Sequence, residues 1–181
     1  MDLDTSDSFA EIAILDNGPS DDPVTHFFRY DKGNLSYLGC IYGLLDDSYT
    51  HNNGDGTIQG RLLISLLETA RVPATYKLDN NEISLAEEDW YYVDESTFPQ
   101  AYKTHEILKD VVVYKENNRN AETVTLTPQD GPVTFPATDN KHWFMIKTPD
   151  EQLYYLYLED FSTLESGDWV TDVFDTLFQA G

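Results

Sequence analysis

Basic side chains are scarce in this chain: 11 Lys and Arg stand against 33 Asp and Glu, for a formal net charge of −22. Phosphate neutralisation needs clustered cations, so the balance argues strongly against nucleic acid as a partner. It argues equally against an anionic membrane surface. One cysteine, Cys40, excludes an intramolecular disulfide and a multi-cysteine metal site. No apolar run approaches the roughly 18–20 residues that span a bilayer, so membrane insertion is not expected. No basic stretch leads into an apolar one, as a secretory leader would. The opening, with Asp2, Asp4 and Asp7 directly after Met1, reads like the middle of a motif. That favours an excised or mature piece of a longer chain, with a cytoplasmic protein as the other reading. Catalytic signatures are missing too. There is no Gly-x-Ser-x-Gly, no phosphate-binding loop and no dinucleotide fingerprint. His26, His51, His105 and His142 are scattered without zinc-ligand spacing.

Aromatics, by contrast, are plentiful, with 12 Tyr, 9 Phe and 3 Trp. A disordered acidic tail would be poor in them, so the chain is expected to bury a core. Its rhythm is that of short strands and tight turns. Residues 11–15, 26–30 and 35–42 read as three strands of an antiparallel meander. Asp31-Lys-Gly-Asn34 is a turn of hairpin length between the last two. Residues 57–77 mix leucines at helical spacing with β-branched residues, and a long strand is the preferred reading over a helix. The rhythm pauses around Phe98-Pro-Gln100, where a boundary between residues 1–100 and 101–181 is placed. Beyond it, residues 106–114, 123–127, 143–147 and 153–158 are strand-like, as in a small barrel. Val170, Val173, Phe174, Leu177 and Phe178 predict a short closing helix. The fold class expected is therefore mostly β, an antiparallel blade-like sheet followed by a small barrel with a short C-terminal helix.

Two loops and two aromatic groups are candidates for function. Asp2, Asp4, Asp7 and Glu11 precede the first strand, and calcium, which takes six to eight oxygens, is the cofactor such a loop suggests. The alternative is a solvated acidic N-terminus. Asn53-Gly-Asp-Gly-Thr-Ile58 resembles the middle of an EF-hand loop. In that register His51 and Leu62 stand where Asp and Glu belong, so a hairpin turn is the better reading. Cys40, in mid-strand, is expected to be buried and inert. Trp90, Tyr91 and Tyr92 form one aromatic group, and Tyr154, Tyr155 and Tyr157 another. Alternation along a strand sends about half of each to the core. Trp90, Tyr92, Trp143 and Tyr155 are the candidates for an exposed platform that stacks on sugars or on a peptide.

The run Asp2-x-Asp4-x-x-Asp7-x-x-x-Glu11-Ile-Ala-Ile14, with Phe27-Phe-Arg-Tyr-Asp31 and Leu35-x-Tyr-Leu-Gly39, resembles FG-GAP/VCBS-type repeats. These are the integrin-type propeller blades of bacterial surface proteins. The resemblance covers roughly residues 2–43 and implies calcium on Asp2, Asp4, Asp7 and Glu11. The stretch 133–150, through Trp143 and Ile146-Lys-Thr-Pro-Asp150, is similar to the bacterial SH3-like domains of secreted proteins. That resemblance implies binding to peptidoglycan or a spacer role. Together the halves look like a class of clostridial-type extracellular proteins. The expected function is a non-enzymatic extracellular or cell-surface module that contacts cell-wall glycan, peptide or protein. Two alternatives stand beside it: a hydrolase or hydrolase accessory domain with a carboxylate pair, and an acidic cytoplasmic inhibitor of a basic partner.

Overall fold

A computed structural model of the 181-residue chain describes residues 1–18, 23–45, 48–93 and 104–177. The chain is mostly β, and every strand register described is antiparallel. Among the described residues no helix is long and apolar enough to cross a membrane. The chain divides into two compact units, Met1–Leu63 with Pro73–Glu87, and Ile64–Val72 with Glu88–Gly181. The boundary expected at residues 98–100 lies outside the described residues.

The first unit opens with the meander of β1 (Ala10–Asp16), β2 (Val24–Asp31) and β3 (Asn34–Tyr42), in the order β1-β2-β3. Lys32 and Gly33 carry φ of 47° and 91°, the two positive values that a two-residue hairpin turn needs. A second sheet runs β4-β5-β6-β7: β4 (His51–Asn52), β5 (Thr57–Ile64), β6 (Ala70–Asp79) and β7 (Glu82–Leu85). Phe27, Leu38 and Ile41 from the meander meet Ile58, Tyr76 and Ile83 from this sheet in one buried cluster. Strand alternation alone does not put both Leu38 and Ile41 inward, because they are three apart. The register shifts between Phe27 and Phe28, and that bulge absorbs the extra residue. Gly39 serves the bulge with φ of 131°, and a Cβ there would stand 2.9 Å from the Ile83 carbonyl oxygen. The same shift corrects the reading of Cys40, which is exposed rather than buried, because the bulge turns it to the outer face.

Residues 57–77 form two strands rather than one. The chain breaks at residues 65–69, where Leu67 adopts φ of 58° and donates its N–H to the Phe161 carbonyl at 2.8 Å. Leu67 is buried there, so the leucines that suggested a helix supply apolar contacts around a turn.

The second unit holds a six-stranded sheet in the order β10-β9-β13-β12-β11-β8. Its strands are β8 (Tyr91–Tyr92), β9 (Val111–Tyr114), β10 (Thr123–Leu126), β11 (Ala137–Thr138), β12 (Trp143–Lys147) and β13 (Leu153–Tyr157). Among the described residues this sheet stays open, with β10 and β8 at its two ends. Its core centres on Phe135, whose ring meets Phe144 and Phe174 edge-on at 6.2 and 5.1 Å. The closing helix α1 is a single turn, Val170–Val173, that buries both valines. Phe178, also expected in it, lies outside the described residues.

Candidate functional site

The pairing registers of the six-stranded sheet bring the four candidate aromatics onto one face. Tyr92 pairs with Ala137, and Thr138 beside it pairs with Phe144, which sets Ala137 next to Met145. Met145 pairs with Tyr155, Tyr155 with Tyr114, and Tyr114 with Thr123. One row thus crosses all six strands, and because side chains alternate it lies on one face. Trp143 and Tyr157, themselves paired, form the next row of that face. Trp90, just ahead of β8, sets its ring 5.6 Å from Tyr155. Trp143 packs edge-on against Tyr114 at 5.3 Å and against Tyr157 at 5.0 Å. Tyr154 falls on the opposite face, opposite the buried Ile146. Tyr92 is 63% exposed, while Trp90, Trp143, Tyr155 and Tyr157 are half-buried. Edge-on packing fixes the orientation of the Trp143 ring at its base and leaves part of it in water.

Polar groups frame one end of this face. The Tyr114 hydroxyl donates to Glu165, which also receives Arg119. Arg119 lies 4.5 Å over the Tyr157 ring, and His142 stacks on that ring at 5.3 Å. Hydrogen bonds from Tyr114 and Arg119 hold the Glu165 carboxyl below its ordinary range, and the same Glu165 pushes the Tyr114 phenol up. A cleft of about 240 Å³ opens beside them, lined by Val112, Tyr114, Tyr157 and Glu165. The sequence reading named Tyr157 within an aromatic group but missed Tyr114, Arg119 and Glu165. Tyr114 was legible only through register, and Arg119 and Glu165 come from turns whose meeting no local pattern encodes.

The four acids of the N-terminal loop do not converge. The Glu11 side chain is fully buried and accepts Leu3 N–H at 2.9 Å and Arg29 Nε at 2.9 Å. Asp7 accepts Phe9 N–H at 2.7 Å and lies 3.3 Å from Arg29. Asp4 accepts both the N–H and the hydroxyl of Ser6, which hold its carboxyl below the ordinary range. The Asp2 carbonyl accepts from Asn52. Arg29 is thus the cation that the inner two acids meet, and the four carboxylates do not form one calcium shell. Among the described residues, no group of three His, Cys, Asp or Glu is arranged to hold a metal.

The loop at 53–58 is a turn, with Gly54 and Gly56 at φ of 75° and 82°. Asp55 accepts from the Thr57 N–H and hydroxyl, and its backbone bridges to that of Asp4. The two loops singled out in the sequence therefore lie against each other, joined also by Thr5 and the Gly54 carbonyl at 2.9 Å.

Elsewhere the acids act as turn formers. Asp139 accepts three successive backbone N–H groups, from Lys141, His142 and Trp143, each at 2.8 Å. Asp130 and Asp160 do the same for Thr127 and for Ser162 with Thr163. Every carboxylate shift resolved among the described residues is downward. His105 is the buried titratable base. Its Nε2 lies 3.6 Å from Glu68 and its ring 5.0 Å from Phe135.

No family model, no curated protein and no solved structure matches this chain.

Proposed function

We propose that this chain is a non-enzymatic binding module of a bacterial surface or secreted protein, and that the aromatic face of its second unit holds cell-wall glycan. The observation that carries this reading is the placement of Trp90, Tyr92, Trp143 and Tyr155 on one sheet face, with Arg119 and Glu165 at its end. Sugar rings offer C–H faces to aromatic π systems and hydroxyls to charged side chains, and this face supplies both partners. In the same reading the six-stranded sheet is an SH3-like domain and the meander an FG-GAP-like blade. Short antiparallel strands joined by tight turns support both assignments.

Trp90 and Trp143 make the face self-reporting. Soluble cell-wall glycan strands are expected to give a saturable change in tryptophan fluorescence. Tyr155→Ala is expected to weaken binding about tenfold, because stacking on one ring carries about 1–1.5 kcal/mol. Trp169→Ala, remote in this reading, leaves the affinity unchanged. A titration without saturation, or one untouched by Tyr155→Ala, overturns the assignment.

Calcium belongs to the proposal as a counter-ion of the acidic surface as a whole, where it relieves the self-repulsion of a chain at −22. EDTA should then lower the melting midpoint of calcium-loaded protein. At about 100-fold over its dissociation constant a bound ion contributes about 2.7 kcal/mol. An unchanged midpoint removes calcium from the reading.

A further inference from the structure

The outer face of the first unit's meander carries a feature that the glycan reading does not use. Its rows are Ala10–Tyr30–Leu35, Ile12–Phe28–Tyr37, Ile14–His26–Cys40 and Asp16–Val24–Tyr42. Three of these four rows hold no Asp, Glu, Lys or Arg, although the chain carries −22. Ile12, Ile14, Tyr30, Leu35 and Tyr37 are each about half exposed, between 46% and 58%. The face is ordered: Phe28 packs on Tyr37 at 5.2 Å, and His26 Nδ1 lies 3.2 Å from the Tyr37 hydroxyl.

A second, independent feature borders it. β1 is the edge strand of its sheet. The Glu11 N–H and the Met1 carbonyl are 2.9 Å apart, and the Met1 amine reaches the Glu11 carbonyl at 2.9 Å, so Glu11 points its backbone groups away from β2. In an antiparallel ladder this alternates, so Ala13 and Leu15 also direct N–H and C=O to the free edge. Among the described residues no backbone partner meets them there. Natural edges are guarded by lysine, proline or inward charge. Glu11 is such an inward charge, at the end of β1 that Met1 already covers; the segment Ile12-Ala-Ile-Leu15 beyond it has none of these, and Ile12, Ile14 and Leu15 are all about half exposed.

We infer that β1 accepts an added strand from a partner protein, an extended apolar segment flanked by lysine or arginine. Charge selects this occupant. Asp16 ends β1, Asp31 ends β2, and residues 1–25 contain seven acids and no Lys or Arg. A second copy would bring the same negative field to the same edge, whereas a basic flank is drawn to it. Main-chain bonds to Ala13 and Leu15 supply the register, and alternate apolar side chains of the guest extend the Ile12 and Ile14 rows.

The probe is a synthetic peptide with an alternating Val-Thr core between lysine pairs, and its control has the same core between glutamate pairs. Amide exchange followed by NMR should show saturable protection of Ala13 and Leu15 with the lysine peptide. The glutamate peptide should bind at least about tenfold more weakly, with the gap closing in high salt. Leu15→Pro removes an outward N–H without touching the ladder to β2, and it should abolish that protection. Ile14→Lys, which leaves the backbone intact, should weaken the lysine peptide and favour the glutamate one. Equal binding of both peptides, unprotected β1 amides, or protection that arises from concentration-dependent dimers without peptide overturns the inference.

Discussion

In each unit a buried carboxylate meets a basic side chain, but the two contacts differ in kind. In the first unit Glu11 meets Arg29, whose side chain also reaches Asp7, Asn81 at 2.7 Å and the Phe9 ring. The guanidinium is thus held by several partners at once. In the second unit Glu68 meets His105, which is 1% exposed and also contacts the Asp175 carbonyl at 3.1 Å. Burial works against the imidazolium, but the Glu68 carboxylate beside it and the Asp175 carbonyl outweigh it, so the His105 pKa is raised above the ordinary 6.5. The first pair closes the N-terminus onto the meander, and the second ties residues 68, 105 and 175 together. Burial of charge in this chain is selective. Asp4, Asp7, Asp16, Asp55, Asp130, Asp139 and Asp160 sit instead at turns, where backbone N–H groups satisfy them.

The largest effect should come from breaking the Arg29–Glu11 pair. Arg29→Met leaves the Glu11 carboxylate buried without its cation and should cost about 3–5 kcal/mol, read from urea unfolding by circular dichroism. Adding Glu11→Leu should recover most of that loss. If the single variant costs less than about 1 kcal/mol, the pair is not the device described. Next comes the bulge. Gly39→Ala forces a Cβ to 2.9 Å from the Ile83 carbonyl at a φ of 131°, for a loss of about 1–3 kcal/mol in the same assay. A neutral outcome would mean that the meander relaxes away from β7 without cost.

The smallest effect separates the two units. A raised folded pKa means that the contribution of His105 is full below 6.5 and is lost as pH rises through the folded value. All three tryptophans, Trp90, Trp143 and Trp169, lie in the second unit, so their fluorescence reports it. The urea midpoint seen by tryptophan should therefore fall on going from about pH 6 to about pH 9. Glu68→Gln should flatten that slope, and Arg29→Met should leave it unchanged. A slope that persists in Glu68→Gln would assign the dependence to another group.

Much of the strand order was legible because turn chemistry and alternation are local. Asp31-Lys-Gly-Asn34 announced its hairpin, and β12 falls on the run read from Trp143 to Lys147. The aromatic candidates were legible as residues but not as a surface, since their meeting depends on cross-strand registers. The break at residues 65–69 was hidden because the leucines around it carry no turn residue. Cys40 was misplaced because a bulge shifts alternation by one, and no composition signals a bulge whose glycine also looks like ordinary strand filler. The acids were hardest to read. Asp4 and Asp7 look like metal ligands in isolation, yet the backbone N–H groups of Ser6 and Phe9 and the Arg29 side chain take them up.

Amide hydrogen exchange over both units, recorded with glycan and with the lysine-flanked peptide separately, tests the central claim that each unit keeps one sheet face, aromatic or apolar, for its own guest. The account predicts two separate footprints, the glycan on β12, β13 and the Trp90 turn, and the peptide on β1. One shared footprint, or glycan protection confined to the meander, would contradict it.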